Sequence, residues 1–202
     1  MRIEQAALLQ VPLPTLGRMM VFVDGENLVL RYEAMQRQGR TCKDDVAHEP
    51  GVFVWKGETV EPGLNVVLRA TYYTYATGSD RQLRQIRERI KQLHFRQYRP
   101  PPPVVLRGML LKTMYPRVFK KVKGKQAKGV DIQMTVDILS HVYQGNLDVV
   151  YLVSGDGDYF PVIEESIRMG KQVYVAALSD GLNPLLVSRA DRFIDLDRVY
   201  FG

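Results

Sequence analysis

A short apolar run that ends in two acids, at residues 149–158, constrains the fold of this chain more than any other stretch. Val149–Val153 is continuously apolar and rich in valine, which is typical of a strand buried on both faces of a parallel sheet. A serine and a glycine end the run, and Asp156 and Asp158 follow with one glycine between them. Two carboxylates this close raise each other's pKa, and a bound cation removes that cost. The stretch therefore predicts an acidic site at the end of a central strand.

The acids favour a hard divalent cation, Mg²⁺ or Mn²⁺, because these ions prefer carboxylate oxygens as ligands. His48, His94 and His141 are scattered without the spacing of a zinc site, and Cys42 is the only cysteine. The sequence also lacks a P-loop, a dinucleotide-binding glycine motif and a serine-hydrolase elbow. A divalent ion lowers the pKa of a bound water and neutralises charge on a phosphate, so we expect chemistry on a phosphodiester.

The first predicted strand ends in an acid in the same way. Arg18–Asp24 is mostly apolar and lies between two glycines, and residues 25–36 after it have the pattern of a helix. Asp24 would then lie at the carboxyl end of a strand, where open α/β sheets bind their ligands. It would also serve as the N-cap of the helix. A cap alone does not explain Asn27 one turn later, so we interpret both residues as candidates for the site.

A third acid lies at the start of a helix predicted over residues 129–143, where apolar residues recur at helical spacing. Asp131 lies in the first turn, where the helix dipole favours a carboxylate. Asp137 lies six residues further on, about 240° around the helix at ~100° per residue. The two acids cannot easily point into one site, and we assign Asp137 a structural role.

Positive charge is concentrated in the middle of the chain. Residues 81–128 contain fifteen lysines and arginines and one acid, Glu88, although the whole chain has a net charge of +6. This segment is either a solvated helix face followed by a flexible loop or a binding surface for a polyanion. Its combination with candidate metal ligands favours nucleic acid. Residues 113–128 are basic and contain glycine, and we expect a mobile loop there.

Predicted strands and helices alternate almost strictly, which predicts an α/β fold with a mostly parallel sheet covered by helices on both faces. Further strands are expected at residues 65–76, 104–111, 171–177 and 192–196, and further helices at 81–93 and 182–190. Residues 52–60 predict a β-hairpin with a turn at Lys56 and Gly57, in which Trp55 packs. The four prolines at 100–103 predict a stiff link.

Four motifs, taken in order, resemble a known family. They are VFVDGENL at residues 21–28, KGVD at 128–131, LVSGDGDYF at 152–160 and ADRFIDL at 190–196. Together they are similar to the NYN domain of the LabA-like group, within the PIN-like nuclease superfamily, over about residues 18–197. The resemblance implies a PIN-like three-layer α/β/α sandwich with a mostly parallel central sheet. It also implies a metal-dependent endoribonuclease that uses acidic residues with Mg²⁺ or Mn²⁺.

The motifs assign roles to individual residues. The resemblance implies four catalytic carboxylates, of which the first three would hold the metal: Asp24, Asp131, Asp156 and Asp158. Asp158 would be a fourth ligand or orient the attacking water, and we also expect it to cap the helix that follows. Asn27 would position a ligand or a phosphate. The basic segment, and not the motifs, indicates the lysines that would bind the substrate, which are Lys120, Lys121, Lys123, Lys125 and Lys128. The implied substrate is single-stranded RNA, and its preference over DNA follows from the resemblance alone.

The sequence leaves alternatives open. One is an RNA-binding or regulatory module whose acidic site is weak or idle. Another is a metal-dependent phosphatase or nucleotidase that acts on a small substrate, which the basic segment disfavours because a small phosphate needs no such surface. A homodimer is also left open.

Domain organisation and location follow from the remaining pattern. We expect an N-terminal arm at residues 1–17, a domain at 18–197 with an insertion at 38–63, and a tail at 198–202. No apolar run approaches the ~20 residues that span a bilayer, and the N-terminus does not resemble a signal peptide. A single cysteine fits a reducing compartment. These features predict a cytoplasmic protein without a membrane partner.

Overall fold

The structure is a computed structural model that describes residues 17–98, 109–121 and 129–202. Its strands are β1 (Arg18–Asp24), β2 (Ala47–Glu49), β3 (Phe53–Trp55), β4 (Val66–Ala76), β5 (His94–Tyr98), β6 (Met109–Thr113), β7 (Tyr115–Lys120), β8 (Val149–Val153), β9 (Gln172–Ala177) and β10 (Arg192–Asp195). Its helices are α1 (Gly25–Arg37), α2 (Asp80–Gln92), α3 (Val130–Tyr143), α4 (Phe160–Arg168), α5 (Pro184–Arg189) and α6 (Asp197–Tyr200). The predictions for residues 1–16, the proline link, Lys123, Lys125 and Lys128 lie outside the described residues.

Six strands form one central sheet in the order β10-β9-β8-β1-β4-β7. Every neighbouring pair in it is parallel. β1 lies between β8 and β4, so its two neighbours come from distant parts of the chain. β1 and β8 are buried almost throughout, as expected of apolar strands covered on both faces. The predicted α/β fold with a parallel sheet is therefore confirmed.

Helices cover both faces of the sheet and complete three layers. On one face, α1, α2 and the β2–β3 pair pack against a hydrophobic core that we call the α1 core. On the other face, α3, α4 and α5 pack against a second core, the α3 core. The predicted α/β/α sandwich, consistent with a PIN-like fold, is confirmed. Within the described part of the chain, no helix is long and apolar enough to cross a membrane.

Alternation along β1 decides which side chains reach each core. Met19, Val21 and Val23 lie in the α1 core, whereas Met20 and Phe22 lie in the α3 core. The even-numbered positions of this strand therefore face α3. The acid that ends the strand continues this even-numbered series, which places it on the α3 side of the sheet.

β8 follows the same alternation, and its even-numbered residues also lie in the α3 core. Val23 of β1 pairs with Val153 of β8. Because the two strands are parallel and in register, the next residues, Asp24 and Ser154, meet at the carboxyl edge of the sheet. Strand pairing thus brings a carboxylate and a hydroxyl together on the α3 side.

The segment predicted to be an insertion contains a hairpin whose position differs from the prediction. The antiparallel pair joins β2 to β3, and its turn contains Gly51, whose φ of 65° suits glycine. Lys56, predicted in the turn, instead precedes a 3₁₀ turn at Gly57–Thr59. The hairpin predicted over residues 52–60 was therefore wrong, because the short polar strand β2 carries no apolar alternation. Trp55 is buried, as predicted.

The basic segment contains a strand that the sequence pattern did not indicate. Residues 113–128 were expected to form a mobile loop, but Tyr115–Lys120 forms β7, the last strand of the sheet as described, paired in parallel with β4. The strand was not predicted because its apolar residues point to opposite faces of the sheet and therefore form no apolar alternation. Val118 lies in the α1 core and Phe119 packs against the α3 core. β5, which pairs with β6, was also not predicted.

The last residues of the chain close the α1 core. Tyr200 and Phe201 are buried, and the ring of Tyr32 in α1 stacks on Phe201 with centroids 5.3 Å apart. The hydroxyls of Thr59 and Tyr200 share a hydrogen bond of 2.6 Å. These contacts fix α6 against the helix that begins at the site.

Gly25, the first residue of α1, is packed too closely to carry a side chain. A Cβ there would lie 2.7 Å from the carbonyl oxygen of Tyr73 and would overlap the ring of Tyr72. We predict that Gly25→Ala lowers the free energy of unfolding by about 1–3 kcal/mol, the usual cost of overpacking. Urea denaturation measures the difference.

Gly57→Ala is the matched control for this prediction. Its Cβ would meet nothing closer than the carbonyl oxygen of His94 at 3.5 Å, which is an ordinary contact. Equal losses of stability in the two variants would contradict the argument from packing.

Candidate active site

Asp24 is the buried acid at the carboxyl edge of the sheet, where β1 ends and α1 begins. It is only 2% exposed. Its Oδ1 accepts a hydrogen bond of 3.1 Å from the backbone N–H of Asn27, so it is the N-cap of α1, as predicted. The strand and the helix together therefore fix the position of this carboxylate.

Ser154 connects the ends of β1 and β8. Its hydroxyl donates to Oδ2 of Asp24 at 3.0 Å and accepts from the backbone N–H of Asp156 at 3.1 Å. One buried side chain thus fixes the first acid relative to the loop that carries the second. The sequence analysis did not name Ser154 as a candidate. Ser154 directly follows β8 and continues its even-numbered series, and this position could have indicated it as a candidate.

Asn27 joins the same two segments from the side of α1. Its Oδ1 accepts a hydrogen bond of 3.2 Å from the backbone N–H of Gly155. Gly155 is itself tightly packed, since a Cβ would lie 3.3 Å from the Cα atom of Leu182. The structure gives Asn27 this positioning contact, and its predicted contact with a ligand or phosphate stays a prediction.

The two acids after β8 have different environments. Asp156 is the N-cap of a 3₁₀ turn at Gly157–Tyr159, and its Oδ1 accepts from the backbone N–H of Asp158 at 3.0 Å. Asp158 lies inside that turn and is exposed. The expectation that Asp158 caps the following helix was wrong, because the turn begins earlier and takes Asp156 as its cap.

Asp131 reaches the site from the first turn of α3. Gly129 before it has a φ of 142°, a conformation that strains any residue with a side chain. The backbone N–H of Val130 donates to the hydroxyl of Tyr75 at 2.9 Å, which fixes the start of the helix. The hydroxyl of Tyr159 donates to Oδ1 of Asp131 at 3.4 Å and links it to the turn after β8. The sequence analysis assigned neither tyrosine to the acidic site.

The charges of Asp131 and Asp156 act on Asp24, and the charge of Asp156 acts on Asp131. We call these three residues the acidic cluster. Burial raises the pKa of the Asp24 carboxyl to about 7, and the charges of Asp131 and Asp156 act in the same direction against two hydrogen bonds. Burial also raises the pKa of Asp131, followed by the charges of Asp156 and Glu26. The charge of Asp158 also raises the pKa of Asp131, so all four predicted carboxylates are linked electrostatically. Glu26 is a further acid that sequence reasoning missed.

The acidic cluster fits a hard divalent cation, because a cation beside the buried Asp24 carboxylate and its two more exposed neighbours offsets the cost of their charge. The side chains of the cluster do not form a complete set of metal ligands. Among the residues that the structure describes, no group of three or more His, Cys, Asp or Glu side chains is arranged to hold a metal ion. Mg²⁺ usually keeps several waters and takes one or two carboxylates, so these residues suit an ion bound partly through water.

The two described lysines among the predicted substrate contacts lie on opposite sides of β7. Lys121 pairs with Glu26 of α1 at 3.0 Å, and its Nζ lies 5.6 Å from the centroid of the Tyr75 ring. Lys120 pairs with Asp80 at the start of α2 at 3.1 Å. The structure therefore brings Lys121 next to the acidic cluster and directs Lys120 away from it.

Asp137 lies outside the acidic cluster, as predicted. It accepts hydrogen bonds from the hydroxyl of Tyr73 at 2.7 Å and from Nε2 of Gln133 at 2.8 Å. It also pairs with Arg117 of β7 at 3.2 Å. Through these contacts Asp137 links α3 to β4 and β7.

Comparison with known protein families identifies the family to which the chain belongs. Residues 18–197 match the NYN domain. The chain belongs to the NYN domain family. NYN domains are PIN-like nuclease domains, so membership agrees with the parallel sheet and the three layers described above. At the level of reaction class, the family indicates a hydrolase of the ribonuclease type.

Two proteins of unknown function are similar to this NYN domain. An uncharacterized protein of Methanocaldococcus jannaschii is 33% identical over 70 residues, which cover 35% of this chain and 29% of that protein. A protein of unknown function from Vibrio parahaemolyticus has a crystal structure that matches with a TM-score of 0.60 at 20% identity, over 94% of this chain and 99% of that chain. The second likeness shows the fold alone.

The raised pKa of Asp24 has a consequence for stability without metal. The unfolded chain loses this proton near pH 4, whereas the folded protein keeps it up to about pH 7. Ionisation therefore destabilises the fold increasingly between these pH values, by roughly 4 kcal/mol in full at ~1.4 kcal/mol per pKa unit. We predict that Asp24→Asn in EDTA raises the free energy of unfolding at pH 8 by about 1–4 kcal/mol and that the gain vanishes near pH 4. Urea denaturation across this pH range measures it.

Asp148→Asn is the control of opposite sign. Hydrogen bonds from Arg18 lower the pKa of Asp148 to about 2, so its charge stabilises the fold at pH 8 and that contribution is lost only as the pH falls toward 2. Replacement of Asp148 should lower stability at pH 8. A loss of stability in both variants would contradict the assignment of Asp24 as a buried, destabilising charge.

Proposed function

We propose that this protein is a metal-dependent endoribonuclease of the LabA-like group that hydrolyses RNA phosphodiester bonds at the acidic cluster. The observation that carries the proposal is the convergence of three carboxylates, from three separate elements, at the carboxyl edge of a parallel sheet. The charges of Asp131 and Asp156 add to the effect of burial in raising the pKa of Asp24, so the charge of Asp24 costs stability and requires a functional reason. Membership of the NYN family supports the same class of reaction.

Each polar residue of the site has a proposed role. A bound Mg²⁺ or Mn²⁺ would lower the pKa of a water and neutralise charge that develops on the phosphate. The acidic cluster would hold the ion directly or through water. Asp158, exposed at the rim, would be a further ligand or orient the attacking water. Ser154 and Asn27 would keep the two strand ends in fixed positions through their contacts with Asp24 and Gly155.

Single-stranded RNA in the cytoplasm is the proposed substrate. Lys121 lies beside the acidic cluster and offers a phosphate contact there. The other lysines of the basic segment, Lys123, Lys125 and Lys128, fall outside the described residues, and their contribution remains a proposal from the sequence. The family supports RNA as the class of substrate.

A second candidate function is an RNA-binding or regulatory module with a weak or idle acidic site. It is favoured by the arrangement of side chains in the described residues, in which no group of three acids or other ligands is set to hold a metal ion. Such a module would bind RNA without turnover. Neutralising one acid of the cluster would then leave RNA binding unchanged.

Cleavage of a single-stranded RNA oligonucleotide with Mg²⁺ or Mn²⁺ tests the first proposal. We expect EDTA to abolish cleavage. Asp24→Asn, Asp131→Asn and Asp156→Asn should each lower the rate by about 10²–10³-fold, because metal-ion catalysis supplies several kcal/mol of transition-state stabilisation. Asp148→Asn is the control, since it removes an acid at the opposite end of β8.

The outcomes separate the two candidates. Cleavage that survives both EDTA and Asp156→Asn would reject the acidic cluster as the catalytic site. Salt-sensitive binding of RNA without cleavage in either metal, unaffected by Asp156→Asn, would support the regulatory module instead.

A further inference from the structure

β7 carries aromatic and cationic side chains in alternation on one of its two sides. Successive side chains of a strand point to opposite faces. The odd-numbered residues of the strand, together with Lys121 directly after it, form what we call the edge-strand face: Tyr115, Arg117, Phe119 and Lys121. Phe119 packs against the α3 core, and Arg117 pairs with Asp137 of α3. Val118 and Lys120 contact the other side of the sheet. The edge-strand face is therefore on the same side of the sheet as α3.

The edge-strand face leads to the acidic cluster. β7 is parallel to β4 and β4 to β1, so the carboxyl end of β7 lies at the same edge of the sheet as Asp24. Lys121 donates its backbone N–H to the carbonyl oxygen of Ala76 at 2.8 Å and pairs with Glu26, whose charge acts on the acidic cluster. Tyr115 lies at the far end, about 20 Å away at ~3.3 Å per residue.

β4 adds one cation and one ring to this surface. The guanidinium carbon of Arg69 lies 5.0 Å from the centroid of the Tyr115 ring. The rings of Tyr75 and Phe119 lie 6.1 Å apart, and Nζ of Lys121 lies over Tyr75. Cations and aromatic rings are therefore interleaved across both strands.

The exposed side chains of this surface indicate that a ligand would bind on it and not inside the protein. Tyr115 is 51% exposed, whereas Tyr73 and Tyr75 on the same side of β4 are buried. The cavity between α3 and strands β1, β4 and β7 has a volume of about 50 Å³. That volume has room for a few water molecules and none for a nucleobase.

We propose that the edge-strand face, together with Arg69, binds single-stranded RNA and directs it toward the acidic cluster, an inference that rests on the proposed function. Bases stack on Tyr115 and on the accessible part of Phe119, and phosphates contact Arg117 and Lys121. Alternate positions of a strand are ~7 Å apart, so each ring has space for its own base. Paired bases are already stacked within a duplex, so the surface selects unpaired strands.

Two of these cations are paired with carboxylates in the free protein, and these pairs do not prevent the binding of a phosphate. Arg117 with Asp137 and Lys121 with Glu26 are both partly exposed pairs. Such pairs contribute little to stability, so a phosphate can replace the carboxylate at small cost. The carboxylates instead hold the two cations in place before RNA arrives.

The exposed face of α2 is the competing surface for the same ligand. It carries Arg81, Arg84 and Arg89. α2 contains no aromatic residue, so it offers phosphate contacts without stacking. It also packs on the α1 core, on the opposite side of the sheet from α3. The interleaved rings and the direct path to the acidic cluster favour β7.

Fluorescence anisotropy tests the inference with a labelled single-stranded RNA of about 12 nucleotides, in EDTA so that metal-dependent cleavage stops. We expect Tyr115→Ala to weaken binding by about 5- to 100-fold, the range for loss of one stacked base. Arg117→Gln should reduce the slope of log affinity against log salt concentration by about 0.7, the value for one phosphate contact on a single strand.

Tyr143→Ala and Arg168→Gln are matched controls. Tyr143 is 55% exposed, and Arg168 is ion-paired with Glu165 at 2.6 Å, so they reproduce the exposed tyrosine and the paired arginine of β7. Tyr143 lies at the end of α3 away from the acidic cluster. Both variants should keep the affinity and salt slope of the parent, and urea denaturation verifies that these variants, the two β7 variants and Arg84→Gln on α2 are folded.

The outcomes distinguish this inference from the nuclease proposal. Unchanged binding in Tyr115→Ala and Arg117→Gln, or a loss confined to Arg84→Gln on α2, would overturn the inference even if the parent cleaves RNA. Equal affinity of the parent for duplex RNA would also overturn it. Weakened binding in the β7 variants, with no cleavage by the parent in any metal, would support the inference and reject the nuclease proposal.

Discussion

The hydrogen bond from the hydroxyl of Ser154 to the carboxylate of Asp24 is the contact on which the site depends. It joins β8 to β1 across 130 residues of sequence, and the same hydroxyl accepts from the backbone of Asp156. The buried carboxylate has two donors, this hydroxyl and the backbone N–H of Asn27, yet its pKa remains raised because burial outweighs them. The contact therefore fixes the geometry of the acidic cluster without neutralising it. A cation would supply the missing compensation.

The two sides of the sheet serve different purposes. The α1 core is closed by large rings, among them Tyr32, Trp55 and Tyr200, and by the C-terminal residues that pack on α1. On the α3 side, parallel pairing aligns the acidic cluster at the ends of β1 and β8 with the edge-strand face of β7. The α1 side of the sheet thus supplies most of the packing around the start of α1. The α3 side combines packing with a polar surface. The proposed path of RNA and the proposed site of cleavage share that second layer.

The sequence predicted the elements whose patterns are local. β1 and β8 are continuous apolar runs, and Asp24 and Asp131 lie at the ends of predicted elements, so both acids could be named in advance. Ser154 could not, because its role depends on which strand lies beside β8 and in which register. β7 was missed because its apolar residues, Val118 and Phe119, face opposite cores and its other positions are mostly charged. Strand neighbours and register are tertiary facts that periodicity does not contain.

The long sequence separation within the site also sets when it can form. During synthesis β1 is made early, whereas β8, which pairs with β1, is made only after α3. A growing chain on the ribosome can fold α1 against β1 and β4, because those elements are made first. It has no Asp131 or Asp156 at that stage, and nothing buries Asp24 from the side of β8. The acidic cluster is therefore complete only after translation has passed Asp156 and β8 has paired with β1.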